Sequence, residues 1–338
     1  MNVLIIGAGG FIGSHLSEEI LKKHKDWQIT AIDISSSKIK HLLPEKKFDF
    51  LEIDIVTNFN SLKDHIKRCD VIFPLAAIAS PLVYVQDPLK VFELDFEANL
   101  KIVKSAVKYD KRVIFPSTSE VYGMCNDDEF EEDSSNCVTG PICKQRWIYS
   151  CSKQMLDRVI FAYGVRSGLR YTLFRPFNWI GPRLDDIYNE NNGSSRVVSQ
   201  FLSNIFHRKN INLVDGGAQV RCFTYISDGI DALMKILESN NVDKQIINIG
   251  NPNNKCSIKE LAEKIVVFAK KYDKLKDSAE KISIIHTSSA DYYGKSYQDV
   301  EARVPSIKNA RALLGWNPIV DMDTLLLKTM DFYFKSAL

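Results

Sequence analysis

The feature that most constrains the fold is a set of three glycines close to the start of the chain. Gly7, Gly10 and Gly13 follow a short apolar segment and precede residues with helical spacing. Glycine lets the backbone turn tightly and come close to a pyrophosphate, whose charge then lies at the positive end of the helix. Asp33 ends a second predicted strand 20 residues after Gly13, where a carboxylate can bind ribose hydroxyls. The pattern predicts a dinucleotide site.

Asp33 also indicates which dinucleotide is bound. Its carboxylate would repel a 2′-phosphate, and no arginine follows it closely, so the sequence favours NAD over NADP. A second aspartate, Asp54, ends the third predicted strand. It could reach the adenine, or it could simply begin a turn, and the sequence leaves both interpretations open.

Short apolar runs alternate with longer amphipathic segments over the first 180 residues, which is typical of βαβ units. We therefore predict an α/β fold with a Rossmann-type doubly wound parallel sheet over residues 1–175. The predicted strands are residues 3–6, 29–33, 50–53, 71–75, 112–116 and 171–175, and the predicted helices are residues 14–23, 88–109 and 150–168.

The regular alternation of apolar runs and amphipathic segments ends after residue 175. A polar loop over residues 185–195 is followed by shorter and less regular elements. We predict that residues 176–338 form mainly a smaller substrate-binding lobe, with some chain returning to the Rossmann core. The predicted elements are helices near residues 196–207, 227–238 and 257–272, a loop at residues 215–217, and a C-terminal helix from residue 322.

The composition excludes several classes of function. Among 338 residues, 44 Lys and Arg nearly balance 42 Asp and Glu, for a net charge of +2. Such a balance does not provide the excess of positive charge that nucleic-acid-binding proteins carry. The longest nearly apolar stretch, residues 71–85, is shorter than the roughly 18 residues that mark a membrane span. We expect neither nucleic acid nor a membrane as a partner.

The cysteines point to a reducing compartment. The seven cysteines are scattered and contain no C-x-x-C pair, which fits free thiols better than a disulfide framework or a zinc site. The six histidines form no H-E-x-x-H motif. We expect a cytoplasmic protein without a metal centre.

Two polar segments supply candidate catalytic groups. Tyr149 and Lys153 have a spacing that places both side chains on one helix face, where the ammonium and a positive nicotinamide would favour the phenolate. Thr118, Ser119 and Glu120 follow a strand at the edge of the sheet where open α/β sheets bind ligands. Either segment alone is more typical of a solvated helix face or a helix cap. Together with the glycine turn, they predict an oxidoreductase site.

These residues carry a family resemblance. The segments GAGGFIG, STSEVYG and YSCSK resemble the extended short-chain dehydrogenase/reductase family, which acts on nucleotide sugars with a bound NAD. Longer runs resemble the branch that decarboxylates UDP-glucuronate, and the likeness covers nearly the whole chain, with residues 266–282 poorly matched. These runs are CKQRWIYSCSKQMLDRVI, FRPFNWIGPRLD, LVDGGAQVRCFTYISDGI, NIGNPNN and YYGKSYQDVEARVPSI.

The resemblance implies roles for individual positions. The implied catalytic residues are Thr118, Ser119, Glu120, Tyr149, Lys153 and Arg303. The implied cofactor-binding residues are Gly7, Gly10, Phe11, Ile12, Gly13, Asp33, Ile34, Asp54, Ile55, Leu75, Ala76, Ala77, Tyr149 and Lys153. The implied substrate-binding residues are Ala79, Tyr84, Thr118, Ser119, Arg146, Asn178, Arg183, Asn212, Val214, Asp215, Gln219, Arg221 and Tyr297.

The implied reaction is the oxidative decarboxylation of UDP-glucuronate to a UDP-4-keto-pentose, with Glu120 as proton acceptor and Arg303 as proton donor. A guanidinium is a very weak acid, so an electrostatic role suits Arg303 better. The alternative activities are a UDP-xylose synthase that reduces the ketone again, and another nucleotide-sugar epimerase or dehydratase. Ala79 and Ser119 stand where ring-contracting relatives carry cysteines, and YSCSK departs from the usual xylose-synthase segment, which favours release of NADH.

The resemblance also implies an assembly. Members of the family pair through helices that flank the sheet, here residues 88–109 and 150–168, so we expect a homodimer; the alternative is that these helix faces pack within one chain. Relatives in the decarboxylating branch carry a transformylase domain ahead of the dehydrogenase. Because the first predicted strand begins two residues after Met1, we expect the decarboxylase domain alone.

Overall fold

The protein is described by a computed structural model that covers residues 1–189 and 196–335. The last part of the predicted polar loop, residues 190–195, lies outside the described residues. The strands are β1 (Asn2–Ile6), β2 (Gln28–Asp33), β3 (Phe48–Glu52), β4 (Val71–Pro74), β5 (Arg112–Pro116), β6 (Tyr171–Pro176), β7 (Trp179–Ile180), β8 (Ile211–Val214), β9 (Val220–Cys222), β10 (Thr224–Tyr225), β11 (Gln245–Ile249), β12 (Lys255–Ser257), β13 (Ile284–Thr287) and β14 (Ala302–Arg303).

Helices connect most of these strands and cover the sheet faces. They are α1 (Phe11–Lys23), α2 (Lys63–Arg68), α3 (Pro81–Gln86), α4 (Pro88–Phe92), α5 (Asn99–Lys108), α6 (Trp147–Arg166), α7 (Val197–Phe206), α8 (Ile226–Glu238), α9 (Ile258–Ala269), α10 (Asp273–Lys281), α11 (Ser289–Tyr293), α12 (Lys308–Leu314) and α13 (Met322–Lys335). Across the described residues, no helix is both long and apolar enough to cross a bilayer.

A parallel sheet of seven strands forms the centre of the described chain, in the order β11-β6-β5-β4-β1-β2-β3. The strand order reverses between β1 and β4, which is where doubly wound sheets open a crevice for ligands. The predicted Rossmann-type sheet is therefore confirmed, and its six predicted strands match β1 to β6 within one or two residues.

Alternating side chains of β1 show why this sheet has helices on both faces. Val3 and Ile5 pack into the apolar core beneath α1 and α8, whereas Leu4 and Ile6 pack into the core beneath α5 and α6. Successive strand residues point to opposite faces, so a strand of apolar residues alone requires two covered faces. The continuous apolar run at the start of the chain thus determines a three-layer architecture.

The later part of the chain contributes a strand to the large sheet and also forms small sheets. Strand β11 pairs with β6 and is the outermost strand of the large sheet, as expected for chain returning to the core. The short strands form small sheets, with β9 between β12 and β14, and with β8 beside β13. The predicted division of the chain at residue 175 stays a prediction.

The predicted helix over residues 88–109 has an irregular centre. Between α4 and α5 the six residues Glu93–Ala98 form a π-helical turn. Asn99 stabilises it, because its side-chain amide donates to the carbonyls of Leu94 at 2.9 Å and Ala76 at 3.2 Å. A π turn inserts one extra residue into the helical ladder and rotates the following side chains. Asp95, within this turn, consequently lies in the interior with no exposed surface.

A polar cluster fastens helix α1 to the loop that follows β7. Arg183 donates to both carboxylate oxygens of Glu18 at 2.6 and 2.7 Å and to Nδ1 of His15 at 2.8 Å. Since a guanidinium can only donate, His15 carries its proton on Nε2 and donates it to the carbonyl of Pro182 at 2.9 Å. The native structure therefore holds His15 as the neutral imidazole.

This histidine makes stability dependent on pH. Burial lowers the pKa of His15 from 6.5 to about 4, and the charge of Arg183 acts in the same direction. The folded state thus disfavours the proton, so the stabilisation is complete above pH 6.5 and is lost as the pH falls towards 4. We expect the free energy of unfolding to drop by about 2 kcal/mol between pH 7 and pH 5 from this group.

Urea unfolding of the wild type and of His15→Gln measures the difference. The variant should lose this pH dependence, the exposed-histidine control His286→Gln should keep it, and equal slopes in all three proteins would contradict the assignment.

Candidate active site

A cavity of about 550 Å³ opens at the carboxyl ends of the sheet strands. Its walls come from both parts of the chain. Gly7 follows β1 and Pro116 ends β5 of the large sheet, whereas Gln219 and Arg303 belong to the later segments. The cavity is large enough for a small-molecule site of ordinary size, and the predicted candidate residues can be located relative to it.

The glycine turn forms one end of the cavity, and its geometry fits a pyrophosphate. Gly7 has φ of +92°. A Cβ atom there would lie 2.5 Å from the backbone nitrogen of Ala76, so only glycine fits. Helix α1 begins directly afterwards with no side-chain cap and no acidic residue in its first turn. Its first N–H groups and its positive dipole end are therefore available to an anion.

Asp33 closes the turn from the neighbouring strand. Its Oδ2 accepts the Gly9 N–H at 2.9 Å, and its Oδ1 accepts the Ile34 N–H at 2.7 Å. These bonds fix the carboxylate at the end of β2, where a ribose is expected to lie. Burial raises the pKa of Asp33, although the backbone hydrogen bonds oppose that effect. The chain's residues fit the adenosine half of NAD.

The glycine requirement gives a testable prediction. Gly7→Ala should lower the affinity for NAD at least tenfold and the free energy of unfolding by about 1 to 3 kcal/mol, because alanine is strained at this φ and its Cβ collides with the backbone. Calorimetric titration with NAD and thermal melting measure the two effects. Gly168→Ala is the matched control: Gly168 has φ of +68° with nothing within 4 Å of a Cβ. It should lose some stability and keep its NAD affinity. Unchanged NAD affinity in Gly7→Ala would show that the cofactor does not bind at this turn.

The remaining predicted cofactor residues divide into two groups. Those that line the cavity are Gly7, Gly10, Phe11, Ile12, Gly13, Leu75, Ala77, Tyr149 and Lys153. Ala76 contacts the glycine turn through its backbone. Ile34 is exposed, and Ile55 packs into the apolar core. Asp54 accepts the Val56 N–H at 2.8 Å, which is the turn-initiating arrangement that the sequence left open.

Helix α6 carries Tyr149 and Lys153 on its inner face, as their spacing predicts. The Tyr149 ring stacks on that of Tyr84, with ring centres 4.7 Å apart and an interplanar angle of 8°. Lys153 is almost fully buried, and its Nζ donates to the carbonyl of Pro116 at 3.1 Å. The same Nζ lies 3.7 Å from Oδ1 of Asp95. Both side chains are thus held rigidly beside the cavity.

Several groups of the protein act on the protonation of Tyr149. Burial, followed by the charges of Asp95 and Glu120, raises the pKa of Tyr149 well above its ordinary value, and a hydrogen bond with Thr118 offsets only part of this. The prediction that Lys153 favours the phenolate did not take account of Asp95. Because this carboxylate faces the ammonium, much of the lysine's influence on the phenol is neutralised.

The segment after β5 forms the wall next to Tyr149. Residues Ser119–Tyr122 make a 3₁₀ turn, which Thr118 caps by accepting the Glu120 N–H at 3.2 Å. The turn is therefore a capped structure, as the alternative interpretation of the sequence held, and it also presents Thr118, Ser119 and Glu120 to the cavity. The two interpretations describe the same residues.

Three arginines and two carboxylates gather at the other end of the cavity. Glu120 lies 3.0 Å from Nη2 of Arg146 and 3.2 Å from Nη1 of Arg303, and Asp299 accepts from Nη2 of Arg221 at 2.8 Å. Burial alone would raise the pKa of Glu120, but Arg146 and Arg303 hold it below its ordinary value. Glu120 is therefore a carboxylate at neutral pH.

The arginines retain unused hydrogen-bond donors. Arg146 and Arg303 are 1% and 7% exposed. Among the described residues, Nε and Nη1 of Arg146 and Nε of Arg303 have no hydrogen-bond partner. The guanidinium of Arg146 also lies over the rings of Trp147 and Tyr297, at 4.5 and 5.6 Å from their centres. Buried cationic donors without partners are costly, so this end of the cavity is suited to an anionic ligand.

Most predicted substrate residues meet in this cavity. Those that line it are Ala79, Tyr84, Thr118, Ser119, Arg146, Asn178, Asn212, Val214, Gln219, Arg221 and Tyr297. Two others are engaged elsewhere. Arg183 is bound to Glu18 and His15, as described above, and Asp215 accepts the Ser289 N–H at 2.8 Å. Neither belongs to the cavity wall, because each side chain fastens a neighbouring segment.

The structure adds residues that sequence reasoning missed. Asp299 lies four positions before Arg303 in the run YYGKSYQDVEARVPSI, so its carboxylate could have been noticed there. Tyr293 lines the cavity and stacks on Tyr297 with ring centres 4.1 Å apart. Lys38 and Arg196 line the end near the glycine turn. Nothing in the sequence pointed to Asp95 as a site residue, because a regular helix over residues 88–109 does not predict its burial.

Comparison with known proteins agrees with this geometry. The model of the NAD dependent epimerase/dehydratase family matches residues 3–250. A structure of the PbgP3 protein from Burkholderia pseudomallei is 50% identical, with 99% of this chain and 96% of that chain covered and a TM-score of 0.90.

More distant structures share the fold. A UDP-glucuronic acid 4-epimerase from Bacillus cereus, in complex with UDP-glucuronic acid and NAD, is 22% identical over the full length of both chains, with a TM-score of 0.81. A dTDP-glucose 4,6-dehydratase from Bacillus anthracis, in complex with NAD, is 21% identical with a TM-score of 0.80, and 99% of this chain and 97% of that chain are covered.

Proposed function

Because this chain belongs to the NAD-dependent epimerase/dehydratase family, we propose that it converts UDP-glucuronate and NAD to a UDP-4-keto-pentose, CO2 and NADH. The family makes the chain an NAD-dependent enzyme, and the relatives of known ligand bind nucleotide sugars. The choice of a carboxylated sugar and of decarboxylation rests on the cavity and on the sequence runs that resemble the decarboxylating domain of the bifunctional polymyxin-resistance protein.

The observation that carries this proposal is the charge at the arginine end of the cavity. Arg146, Arg221 and Arg303 contribute three positive charges, whereas Glu120 and Asp299 contribute two negative charges. A carboxylate on the sugar would supply acceptors for the unpartnered guanidinium N–H groups, and bidentate pairing suits planar anions of this kind. A neutral hexose would leave these buried donors unsatisfied.

The first step is oxidation at the sugar C4. When bound, NAD supplies a hydride acceptor and a positively charged ring. The C4 carbon loses its hydrogen as hydride, and the C4 hydroxyl loses its proton to the phenolate form of Tyr149, whose position is fixed by Tyr84 and Thr118. Lys153, held by Pro116 and Asp95, supplies positive charge next to this proton. The product is a ketone.

The second step breaks the bond between C5 and the carboxylate. The ketone lies β to that carboxylate, so the electrons of the breaking bond flow into the carbonyl and form an enolate as CO2 leaves. Arg303 stabilises the developing negative charge. C5 then takes up one proton through the Arg303 and Glu120 pair, which balances the proton lost from the C4 hydroxyl. Because Glu120 is ionised, it accepts and relays protons instead of storing one.

The test is a single incubation with a full account of the products. Purified protein is mixed with UDP-glucuronate and excess NAD; NADH absorbance, released CO2 and the mass and NMR spectra of the sugar nucleotide are followed. Equal amounts of NADH, CO2 and a 4-keto-pentose support the proposal. Formation of UDP-xylose and CO2 without net NADH would show instead that the protein is a decarboxylase that reduces its ketone intermediate again. Absence of CO2 would show that the substrate is wrong, and UDP-glucose and UDP-galacturonate would then be tried.

We also propose a homodimer that forms through helix α6. Its outward face carries Met155, Phe161 and Val165, which are 51%, 54% and 70% exposed. Leu89 on the adjacent α4 is 69% exposed. Large apolar side chains on neighbouring helices are typical of a contact surface. Analytical ultracentrifugation should give twice the mass of the chain, and Phe161→Glu with Val165→Lys should give the monomer. A wild-type monomer at micromolar concentration would exclude this assembly.

A further inference from the structure

We propose that Asp95 is a positioning residue of the reaction site: its carboxylate restrains the Lys153 ammonium and controls the ionisation of Tyr149. This inference rests on the proposed role of Tyr149 as the group that takes the substrate proton. Nothing in the glycine turn, the arginine cluster or the predicted site residues requires a carboxylate at this position.

The backbone is shaped to bring Asp95 into the interior. The π-helical turn Glu93–Ala98 places it beneath the cavity floor, whereas its acidic neighbours Glu93 and Glu97 are exposed. Its Oδ2 accepts the Ile78 N–H at 2.9 Å, in the segment after β4. That bond orients the carboxylate and leaves the other oxygen, Oδ1, directed at Lys153. Asp95 thus connects a helix to the floor of the cavity.

The second oxygen of Asp95 has no partner except the ammonium. Oδ1 lies 3.7 Å from Nζ of Lys153, and it makes no hydrogen bond within residues 1–189 and 196–335. Both side chains are almost fully buried, at 0% and 1% exposure. A buried carboxylate with one oxygen unsatisfied is destabilising. Its retention beside the proposed catalytic pair fits a functional purpose better than a structural one.

Other charged groups face the same pair. Asp157 lies one turn after Lys153 on α6, but its Oδ2 accepts from Ser117 at 2.6 Å and from Arg175 at 3.3 Å. Glu120 faces Tyr149 from the turn after β5, and Arg146 and Arg303 hold that carboxylate. Tyr84 of α3 covers the other face of the Tyr149 ring. Asp95 is the carboxylate of this group that is not already paired with an arginine.

Electrostatics then determine the effect of Asp95. Burial raises its pKa to about 6 and lowers the pKa of Lys153, so burial favours the neutral form of each. After burial, Asp95 is the largest influence that raises the pKa of Tyr149. Asp95 also favours the ammonium form of Lys153 against the effect of burial. Removal of the carboxylate takes away its direct repulsion of the Tyr149 phenolate, which is thereby stabilised. The tyrosine should therefore lose its proton at lower pH in a variant without the carboxylate.

The test is the titration of Tyr149 in Asp95→Asn. Asparagine keeps an oxygen for the Ile78 N–H and removes the charge. The phenolate absorbance is followed against pH, with and without NAD, and the spectrum of the same protein carrying Tyr149→Phe is subtracted. We expect the midpoint to fall by at least one pH unit, which is about tenfold more phenolate at a given lower pH. The limb of the kcat/KM profile that reports the base should move by the same amount.

Glu97→Gln is the matched control, because it removes an exposed carboxylate from the same π turn and should leave the midpoint unchanged. If Asp95→Asn does not fold, as judged by thermal melting, Asp95→Ser takes its place. A midpoint equal to that of the wild type, or an equal loss of kcat at all pH values, would overturn the assignment. If UDP-glucuronate is not converted at all, the proposed function fails, but the spectroscopic shift still decides the role of Asp95.

Discussion

Replacing Tyr149 with phenylalanine is expected to reduce kcat for UDP-glucuronate about 1000-fold, within the range that general acid–base groups contribute. The ring of Tyr149 stacks on Tyr84 and is almost fully buried, so phenylalanine keeps the packing and removes only the hydroxyl. Its oxygen, as the phenolate, is the group placed to take the C4 proton. NADH formation in a single turnover measures the effect on oxidation directly.

Tyr84→Phe is the matched control for this result. Both tyrosines occupy the same stacked pair, but only Tyr149 has a hydrogen bond with Thr118 and a lysine one turn along its helix. The control should retain most of its kcat, with its main effect on KM. NAD affinity measured by calorimetry should be similar in both variants. If Tyr149→Phe keeps more than one tenth of the wild-type kcat, Tyr149 does not take part in proton transfer.

Replacing Arg303 with methionine is expected to abolish CO2 release, with a loss of at least 1000-fold, since removing a buried electrostatic stabiliser has effects of this size. Arg303 is buried, and its Nη1 lies 3.2 Å from Glu120. Methionine fills a similar volume without charge. If the two steps are separable, the variant should form NADH and a 4-keto acid that retains its carboxylate, which mass spectrometry would detect.

Two further variants separate charge from geometry at this position. Arg303→Lys keeps the charge but not the planar donors, so it should recover only part of the activity. Arg311→Met changes an exposed arginine on α12 whose Nε donates to Asn317 at 2.7 Å, and it should behave like the wild type. Normal CO2 release by Arg303→Met would contradict the proposed decarboxylation mechanism.

The sequence predicted the first half of the fold well because its determinants are local. A strand of apolar residues, a glycine turn and a helix follow one another within 23 residues, and Asp33 lies at the predicted end of the next strand. The packing of β1 on two faces follows directly from its composition. No distant contact is needed to explain these elements, so the predicted strands agree with the structure within one or two residues. Helices α1 and α6 each begin three residues before their predicted start.

In the second half, the predicted helices match α7, α8, α9 and α13 within about three residues, whereas the short strands and their pairing could not be predicted. Strands such as β9 and β14 contain three and two residues, too few to produce a periodic pattern, and they pair across more than 70 intervening residues. Arg183 and Asp215 show the same limitation for the site. Each stands in a run that resembles the family, yet its tertiary partners direct it to Glu18 and to Ser289 instead of the cavity.

The pairing of β9 with β14 has an evolutionary consequence. In this parallel ladder Arg221 and Arg303 are register partners, so both point to the same face of the small sheet. Burial, followed by the charge of Arg303, lowers the pKa of Arg221 to about 10. Losing Arg221 would deprive Asp299 of its arginine partner, and losing Arg303 would leave Glu120 with Arg146 alone. A descendant that accepts a neutral sugar would have to replace these positions together, so the proposed preference for an acidic sugar would be inherited as a unit.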